Sequence, residues 1–222
     1  MRHVVWDWNG TLFDDQHLVL EGLNAVLADA GMPPTDLDTY RRLYTRPVRV
    51  FYERIFGRPI PDEEWDHLDE VYHAVYRDGL SRAMLARDAE VALRAPRETG
   101  RSQSLLSMWR HHELVPLVTE LGIDDHFVRV DGLGVDGAGQ GAGGAKAPHL
   151  EAHLRRVVHA AGDDPTRVLV VGDALDDAVA AAHVGARCVL YDGGSHPRAE
   201  LETAGVPVAS SLTEALERGG IG

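Results

Sequence analysis

Short apolar runs alternate with helix-period segments along most of the chain, and this alternation restricts the fold more than any other feature. The runs at 4–6, 105–106, 127–130, 168–171 and 188–190 are bounded by polar residues or glycine. They are too short to be buried helices, so we predict strands. Strands that alternate with helices favour a parallel sheet covered on both faces, which is an α/β fold.

The predicted helices of this part of the chain cover 148–160, 176–184, 197–204 and 212–218. Polar residues precede the last two, and we expect Ser195 or His196, and Ser211, to cap their N-termini. The glycine-rich stretch 131–147 lacks the strand-then-helix setting of a nucleotide-binding loop, so we interpret it as a flexible loop.

Residues 15–88 interrupt the alternation with helical patterns alone. An apolar stripe from Leu18 to Ala30 ends at Gly31, and we predict that Thr35 caps a short helix that ends at Tyr44. Further helices are predicted from Pro47 to Gly57 and from Asp62 onward. An insertion of roughly 70 residues far exceeds an ordinary loop. We therefore predict an inserted all-helical domain at 15–88, with a Rossmann-like core at 1–14 and 89–222.

The composition of the 222 residues disfavours several function classes. Lys and Arg total 22 against 35 Asp and Glu, a formal net charge of −13, which disfavours nucleic acid and anionic membranes as partners. The single cysteine allows neither an internal disulfide nor a zinc cluster. No signal-peptide or membrane-spanning pattern is present. We therefore expect a cytoplasmic protein.

Two predicted strands end in an aspartate. Asp7 follows the run at 4–6, and Asp173 follows the run at 168–171, with Asp177 four residues later. In a parallel sheet, ligands bind outside the carboxyl ends of the strands. Carboxylates gathered there repel one another unless a cation lies among them, and hard oxygen ligands suit Mg²⁺. The sequence therefore predicts a magnesium site.

Four motifs, found in order along the chain, make it similar to a known family. They are the segment DWNGTLFD from Asp7 to Asp14, Ser107 at the end of SLLS, Lys146 before Ala-Pro, and GDALDD at 172–177. The chain resembles the haloacid dehalogenase superfamily of aspartate-nucleophile hydrolases, in its phosphoglycolate-phosphatase-like branch. The resemblance implies a helical cap at the place of the insertion, which would hinge on the core through the segments 14–16 and 80–88.

The resemblance also implies the role of each site residue. Asp7 would attack phosphorus and form an aspartyl-phosphate. Mg²⁺ would be held by Asp7, the backbone carbonyl of Asn9, Asp173 and Asp177. Ser107 and Lys146 would fix the phosphate oxygens. Donors from the turn and the second motif would add to them, at Gly10, Thr11 and Met108. The implied substrate is a small phosphorylated metabolite, and the implied assembly is a monomer or homodimer.

Position 9 departs from the family's pattern. Its phosphatases carry there an aspartate that protonates the leaving alkoxide and then activates water, whereas this chain has Asn9. A neutral amide can exchange no proton at neutral pH, and general acid–base catalysis typically contributes ~10²–10⁴ in rate. On this basis alone, Asn9→Asp is expected to accelerate the hydrolysis of alkyl phosphates.

Three functions remain open. The protein is a phosphatase that uses another proton shuttle or a substrate with a good leaving group, such as an acyl or aryl phosphate. It cleaves phosphonate or carbon–halogen bonds instead, although the acidic pair Asp173 and Asp177 argues against a dehalogenase. Or it is a catalytically weak phospho-ligand-binding or regulatory protein. In the cap, Arg46 and Arg49 flank a predicted helix start and are candidates to hold an anionic substrate group.

Overall fold

The computed structural model describes residues 2–134, 145–157 and 164–221. Its strands are β1 (His3–Trp6), β2 (Phe13–Asp14), β3 (Met84–Leu85), β4 (Ser102–Arg110), β5 (Val130–Leu133), β6 (Val168–Gly172), β7 (Arg187–Tyr191) and β8 (Val208–Ala209). Its α-helices are α1 (Gln16–Asp29), α2 (Leu37–Leu43), α3 (Val48–Phe56), α4 (Asp62–Gly79), α5 (Ala89–Glu98), α6 (His111–Glu120), α7 (Lys146–Val157), α8 (Leu175–Val184), α9 (Arg198–Leu201) and α10 (Leu212–Arg218).

A six-stranded parallel sheet lies at the centre, in the order β5-β4-β1-β6-β7-β8. Its middle strands are apolar on both faces. Val4 and Trp6 belong to one buried cluster, whereas Val5 between them belongs to the cluster on the opposite side. Helices cover both faces, which explains why these strands appear as continuous apolar runs. The predicted α/β fold is confirmed.

Of the predicted helix caps, one is confirmed and the others are wrong. Ser211 caps α10 as predicted, because its Oγ accepts a hydrogen bond from the Glu214 amide at 3.1 Å. Neither Ser195 nor His196 caps α9, which begins after Pro197. Asp36 rather than Thr35 caps α2, through a bond of 2.7 Å from the Thr39 amide. The backbone of Thr35 is bonded to the side chain of Asn24 instead.

Three strands of two residues each were too short to be predicted from the sequence. They are β8 at the edge of the sheet, and β2 and β3, which pair in an antiparallel ribbon. Strand β3 lies inside 15–88, so that segment is not wholly helical. The ribbon lies where the chain leaves the sheet and returns to it. The loop predicted at 131–147 is wrong at both ends, because β5 extends to Leu133 and α7 begins at Lys146, and its part at 135–144 lies outside the described residues. The helix predicted to reach residue 160 is described as far as Val157.

Helices α1 to α4 share an apolar cluster of their own. Its fully or largely buried members are Leu23, Val26, Leu27, Tyr40, Phe51, Tyr52, Ile60 and Leu68. Several rings meet edge to face, including Phe51 and Tyr52 with centroids 5.4 Å apart. This aromatic cluster gives the helical segment a packed interior separate from the two faces of the sheet. Among the described residues, no helix is both long and apolar enough to cross a bilayer.

A chain of buried polar side chains ties the sheet to α7. His3 and His153 both lie 2.7 Å from the Ser104 hydroxyl, and His153 Nδ1 lies 2.8 Å from Asp131 Oδ2. Burial alone would raise the pKa of Asp131, but hydrogen bonds from His153 and Arg129 outweigh it and hold that pKa well below its ordinary value. The ionised form of Asp131 therefore stabilises the fold.

We expect Asp131→Asn to lower the free energy of unfolding at pH 7 by about 1–3 kcal/mol, the contribution of a hydrogen bond to a charged group. Because folding depresses the pKa of Asp131, its contribution is complete above the unfolded value of about 4 and is lost as the pH falls below it. Urea denaturation should show the difference from wild type narrowing below pH 4. The exposed Asp125→Asn serves as control, and an equal difference at pH 3 and pH 7 would contradict the role of this charge.

Candidate active site

The carboxyl edge of the sheet gathers a compact ionic cluster. Asp7 follows β1, Asp173 follows β6, and Asp177 lies in the first turn of α8. One carboxylate oxygen from each lies within 4.8 Å of the others. Asp173 and Asp177 are buried, and Asp7 is only slightly exposed. The structure thus brings together the three carboxylates that the strand ends predicted to meet.

Lys146 enters this cluster from the start of α7. Its Nζ forms ion pairs with both Asp7 and Asp177, the second at 2.5 Å, and its side chain is 5% exposed. Its backbone amide donates to Asp176 Oδ2 at 3.0 Å, which fixes the beginning of the helix beside the site. A buried ammonium is tolerated because two carboxylates offset its desolvation.

Repulsion persists among the carboxylates despite Lys146. The pKa of Asp7 is raised to about 7, mainly by burial and also by the charges of Asp177 and Asp173, against the lowering effect of Lys146. Burial and Asp177 also raise the pKa of Asp173. The cluster therefore holds more negative charge than one lysine balances, and it offers the hard oxygen donors that a divalent cation prefers.

Two backbone amides and one hydroxyl hold two of the carboxylates in place. Asp173 accepts hydrogen bonds from the Ser195 amide at 2.6 Å and from the Thr11 hydroxyl at 3.3 Å. Asp177 accepts one from the Ala174 amide at 3.0 Å. Gly172 leaves room for the Asp177 carboxyl, since a Cβ there would lie 2.2 Å from it. Ser195 was predicted as a helix cap, but its amide instead orients Asp173.

The side chain of Asn9 is fixed by two partners. Its Nδ2 donates to Asp15 Oδ2 at 2.8 Å and to the Tyr76 hydroxyl at 2.9 Å, and Tyr76 donates its own hydrogen to Asp15 at 2.6 Å. Both amide hydrogens are therefore used. Asn9 Oδ1 lies on the other side, 3.4 Å from Ser107 Oγ. Asn9 thus presents only a hydrogen-bond acceptor toward Ser107.

A cavity of about 910 Å³ opens over the cluster, between the sheet edge and helices α2 to α4. Asp7, Asn9, Ser107 and Lys146 lie at its base. Its upper wall comes mainly from aromatic side chains of the helical segment, together with Arg46. A substrate that reaches Asp7 would therefore be enclosed by both parts of the molecule.

The model of the haloacid dehalogenase-like hydrolase family matches residues 1–185 of this chain. The chain belongs to this family. Curated relatives include phosphoglycolate phosphatase 1 of Pseudomonas aeruginosa, 25% identical with 97% of this chain and 78% of the relative covered. A phosphoglycolate phosphatase of Caulobacter vibrioides is also 25% identical, with 91% and 83% covered.

Solved structures of the family share the fold. A haloacid dehalogenase-like family hydrolase from Streptococcus pneumoniae superposes with a TM-score of 0.79 at 16% identity, with 98% of this chain and 97% of that one covered. A predicted phosphatase from Clostridium acetobutylicum gives 0.80 at 15% identity, with the same coverage.

Three further predicted site residues of this hydrolase border the cavity, but their side chains differ in the contacts they make. Met108 and Arg46 line the cavity, and among the described residues the Arg46 guanidinium has no hydrogen-bond or ion-pair partner, although the Arg46 carbonyl accepts a hydrogen bond from the Thr45 hydroxyl at 3.4 Å. Tyr44 does most to raise the pKa of Arg46, and although burial lowers it, Asp7 adds to the rise. Arg49 also borders the cavity, but its guanidinium is bound to Asp62 at 2.7 Å and to the carbonyl of Ile60.

The backbone amides of the turn after Asp7 are bonded within the turn itself. The Gly10 amide donates to Asp15 Oδ1 at 2.9 Å and to the Phe13 carbonyl at 3.0 Å, and the Thr11 amide donates to the Trp8 carbonyl at 3.1 Å. Gly10 has φ +72°, which lets the turn pass close to Asp173. The structure therefore engages these amides within the turn, rather than leaving them free for a phosphate as the resemblance implied.

Asp15 and Tyr76 were not identified from the sequence. Asp15 is fully buried, and burial raises its pKa against the opposing hydrogen bonds from Tyr76 and Asn9. A signal existed for Asp15, because it lies in the same turn as Asn9 and is a second acidic residue after Asp14. Tyr76 lies 67 residues from Asn9, on α4, where it looked like one more apolar position of an amphipathic helix.

We expect Asn9→Asp to lower stability, because it would replace two donated hydrogen bonds with a carboxylate facing Asp15. The cost is about 1–3 kcal/mol in free energy of unfolding. Adding Asp15→Asn should recover most of it, since the new amide can donate back to position 9. A double-mutant cycle by urea denaturation checks this, with an expected coupling of about 0.5–3 kcal/mol. Additive effects of the two substitutions would contradict the pairing.

Proposed function

We propose that this hydrolase cleaves phosphate monoesters of small metabolites, with Asp7 as the nucleophile. The observation that carries the proposal is the cluster at the carboxyl edge of the sheet. It joins Asp7, Asp173 and Asp177 to Lys146 beside a large cavity. The relatives named phosphoglycolate phosphatases support a phosphorylated substrate.

Each side chain has a definite task in this reaction. Asp7 attacks phosphorus and forms an aspartyl-phosphate, while Lys146 and the Ser107 hydroxyl hold the phosphate oxygens. Asn9 Oδ1 accepts a hydrogen bond from the water that later attacks phosphorus. The segment 15–88 acts as a cap domain on the core of 1–14 and 89–222, and it excludes bulk water from the phosphate.

Mg²⁺ fits the three carboxylates, since burial and their mutual repulsion raise the pKa of Asp7 and Asp173 and their oxygens suit this ion. Asp7, Asp173, Asp177 and the backbone carbonyl of Asn9 would hold it. When bound, the ion supplies a positive charge that stabilises the developing charge on the phosphoryl oxygens.

A second candidate function follows from Asn9. Because both hydrogens of its amide are bound, position 9 offers no proton to a leaving group. The same site would then bind a phosphorylated ligand and release it unchanged, as a regulatory protein does. Phosphate binding without turnover, measured with acyl, aryl and alkyl phosphates, would favour this function.

We expect Asp7→Asn to abolish phosphate release, because an amide is not a competent nucleophile for phosphorus. Steady-state assays with an aryl phosphate and Mg²⁺ measure this, and denaturation confirms that the variant folds. The exposed Asp66→Asn on α4 is the control and should keep the wild-type rate. Full activity in Asp7→Asn would exclude the proposed nucleophile.

Magnesium should raise the melting temperature of the wild type, and Asp173→Asn should remove most of that rise. The effect should depend on pH with a definite sign. The pKa of Asp7 lies at about 7 without metal, so protons compete with the ion below that value and the rise should shrink between pH 8 and pH 6. Differential scanning calorimetry tests this. An equal rise in the wild type and in Asp173→Asn would contradict the site.

A further inference from the structure

Position 9 limits which leaving groups this site can release. Both Nδ2 hydrogens of Asn9 go to Asp15 and Tyr76, and the hydroxyl hydrogen of Tyr76 goes to Asp15. The remaining atom, Asn9 Oδ1, can only accept a hydrogen bond. A group that leaves beside this side chain therefore departs as an anion.

Leaving groups differ greatly in how well they depart without a proton. A phenol has a pKa of about 10, like the tyrosine side chain. An ordinary alcohol is a far weaker acid, closer to water at about 15.7. An alkyl phosphate would therefore lose the help of a general acid, which is worth on the order of 10²–10⁴ in rate, whereas an aryl phosphate needs little of it.

The cavity walls favour the same kind of substrate. Its volume of about 910 Å³ is in the range that encloses a ligand of drug size, far larger than a two-carbon acid needs. Phe51, Tyr52 and Trp65 line it and meet edge to face, with centroids 5.4 and 5.6 Å apart. Tyr44, Tyr72 and Trp109 add further rings. Such a wall binds a planar aromatic group through stacked and edge-to-face contacts.

From the lack of a proton donor at position 9 and from the aromatic cavity together, we propose that the substrates are aryl phosphates. These are monoesters in which phosphate is attached to a hydroxyl of an aromatic ring. This inference rests on the proposed phosphatase function and names its substrate class. Arg46, which lines the same cavity, would attract an anionic substituent on the ring or the ester phosphate itself.

The reaction balances without a proton donor at position 9. A carboxylate oxygen of Asp7 bonds to phosphorus while the bond from phosphorus to the ring oxygen breaks. The electron pair leaves with the phenolate, which takes a proton from solvent. Water held by Asn9 Oδ1 then bonds to phosphorus, the bond to Asp7 breaks, and the carboxylate is restored. The proton of the water passes to solvent or to the released phosphate.

Three substrates separate the two parts of the inference. Phenyl phosphate and benzyl phosphate carry the same ring and charge, and only the first has an acidic leaving group. Acetyl phosphate has a good leaving group but no ring. With wild type and Mg²⁺ at pH 7, kcat/KM for phenyl phosphate should exceed that for benzyl phosphate by on the order of 10²–10⁴, because kcat/KM reports the step in which the leaving group departs. The KM of phenyl phosphate should be lower than that of acetyl phosphate.

Each contrary outcome has a distinct meaning. Equal kcat/KM values for phenyl and benzyl phosphate would show that position 9 does not limit the leaving group, and would overturn the proposal. A lower KM for acetyl phosphate would overturn the role of the aromatic cavity. Preferred hydrolysis of 2-phosphoglycolate would overturn the substrate class and leave the phosphatase function standing. No hydrolysis of any of the four compounds would instead refute the proposed function.

A pair of cap variants tests whether the rings bind the leaving group. Trp65 lines the cavity, whereas Phe56 lies in the same helical segment, is not among the lining residues and packs under Arg58. Trp65→Leu should raise the KM of phenyl phosphate about 2- to 10-fold and reduce the preference over acetyl phosphate. Phe56→Leu should change neither value. Equal effects of the two variants would contradict a binding role for the cavity rings.

Discussion

The ion cluster of Lys146 with Asp7 and Asp177 is the interaction on which the site depends. Three carboxylates so close together would repel strongly in a buried place, and one lysine offsets only part of that repulsion. The parallel sheet makes the arrangement possible because β1 and β6 are neighbours and end at the same edge. The residual negative charge then favours a divalent cation, so the fold and the chemistry share one electrostatic cause.

In the turn after Asp7, a buried acidic group lies at Asp15, whereas the family's pattern has one at position 9. The resemblance leads one to expect an aspartate at position 9, but the residue there is Asn9. Its amide is hydrogen-bonded to the buried carboxylate of Asp15. Asn9, Asp15 and Tyr76 satisfy one another with short hydrogen bonds, so the change at position 9 belongs to a group of three residues. A carboxylate at position 9 alone would face the carboxylate of Asp15. The expected gain in activity from Asn9→Asp therefore has to be weighed with the repulsion from Asp15.

The sequence was sufficient for the four inner strands of the sheet, the carboxylates and Lys146, because these depend on local patterns and on short motifs at strand ends. It was insufficient for Tyr76 and Asp15, whose contacts arise between α4 and the turn after Asp7. Thr35 and Ser195 were assigned as caps for a related reason. Both are good capping residue types, but tertiary contacts with Asn24 and Asp173 engage their backbone groups.

Tyr76 links the turn after Asp7 to the aromatic wall of the cavity. Tyr76 reaches Asp15 and Asn9 with its hydroxyl, while its ring stacks on Tyr72 and meets the edge of Trp109. One side chain therefore holds the amide that cannot donate a proton and also forms part of the aromatic wall. The proposed release of a leaving group without a proton and the proposed binding of aromatic rings in the cavity would thus be coupled through one residue, and a change in either would alter the surroundings of the other.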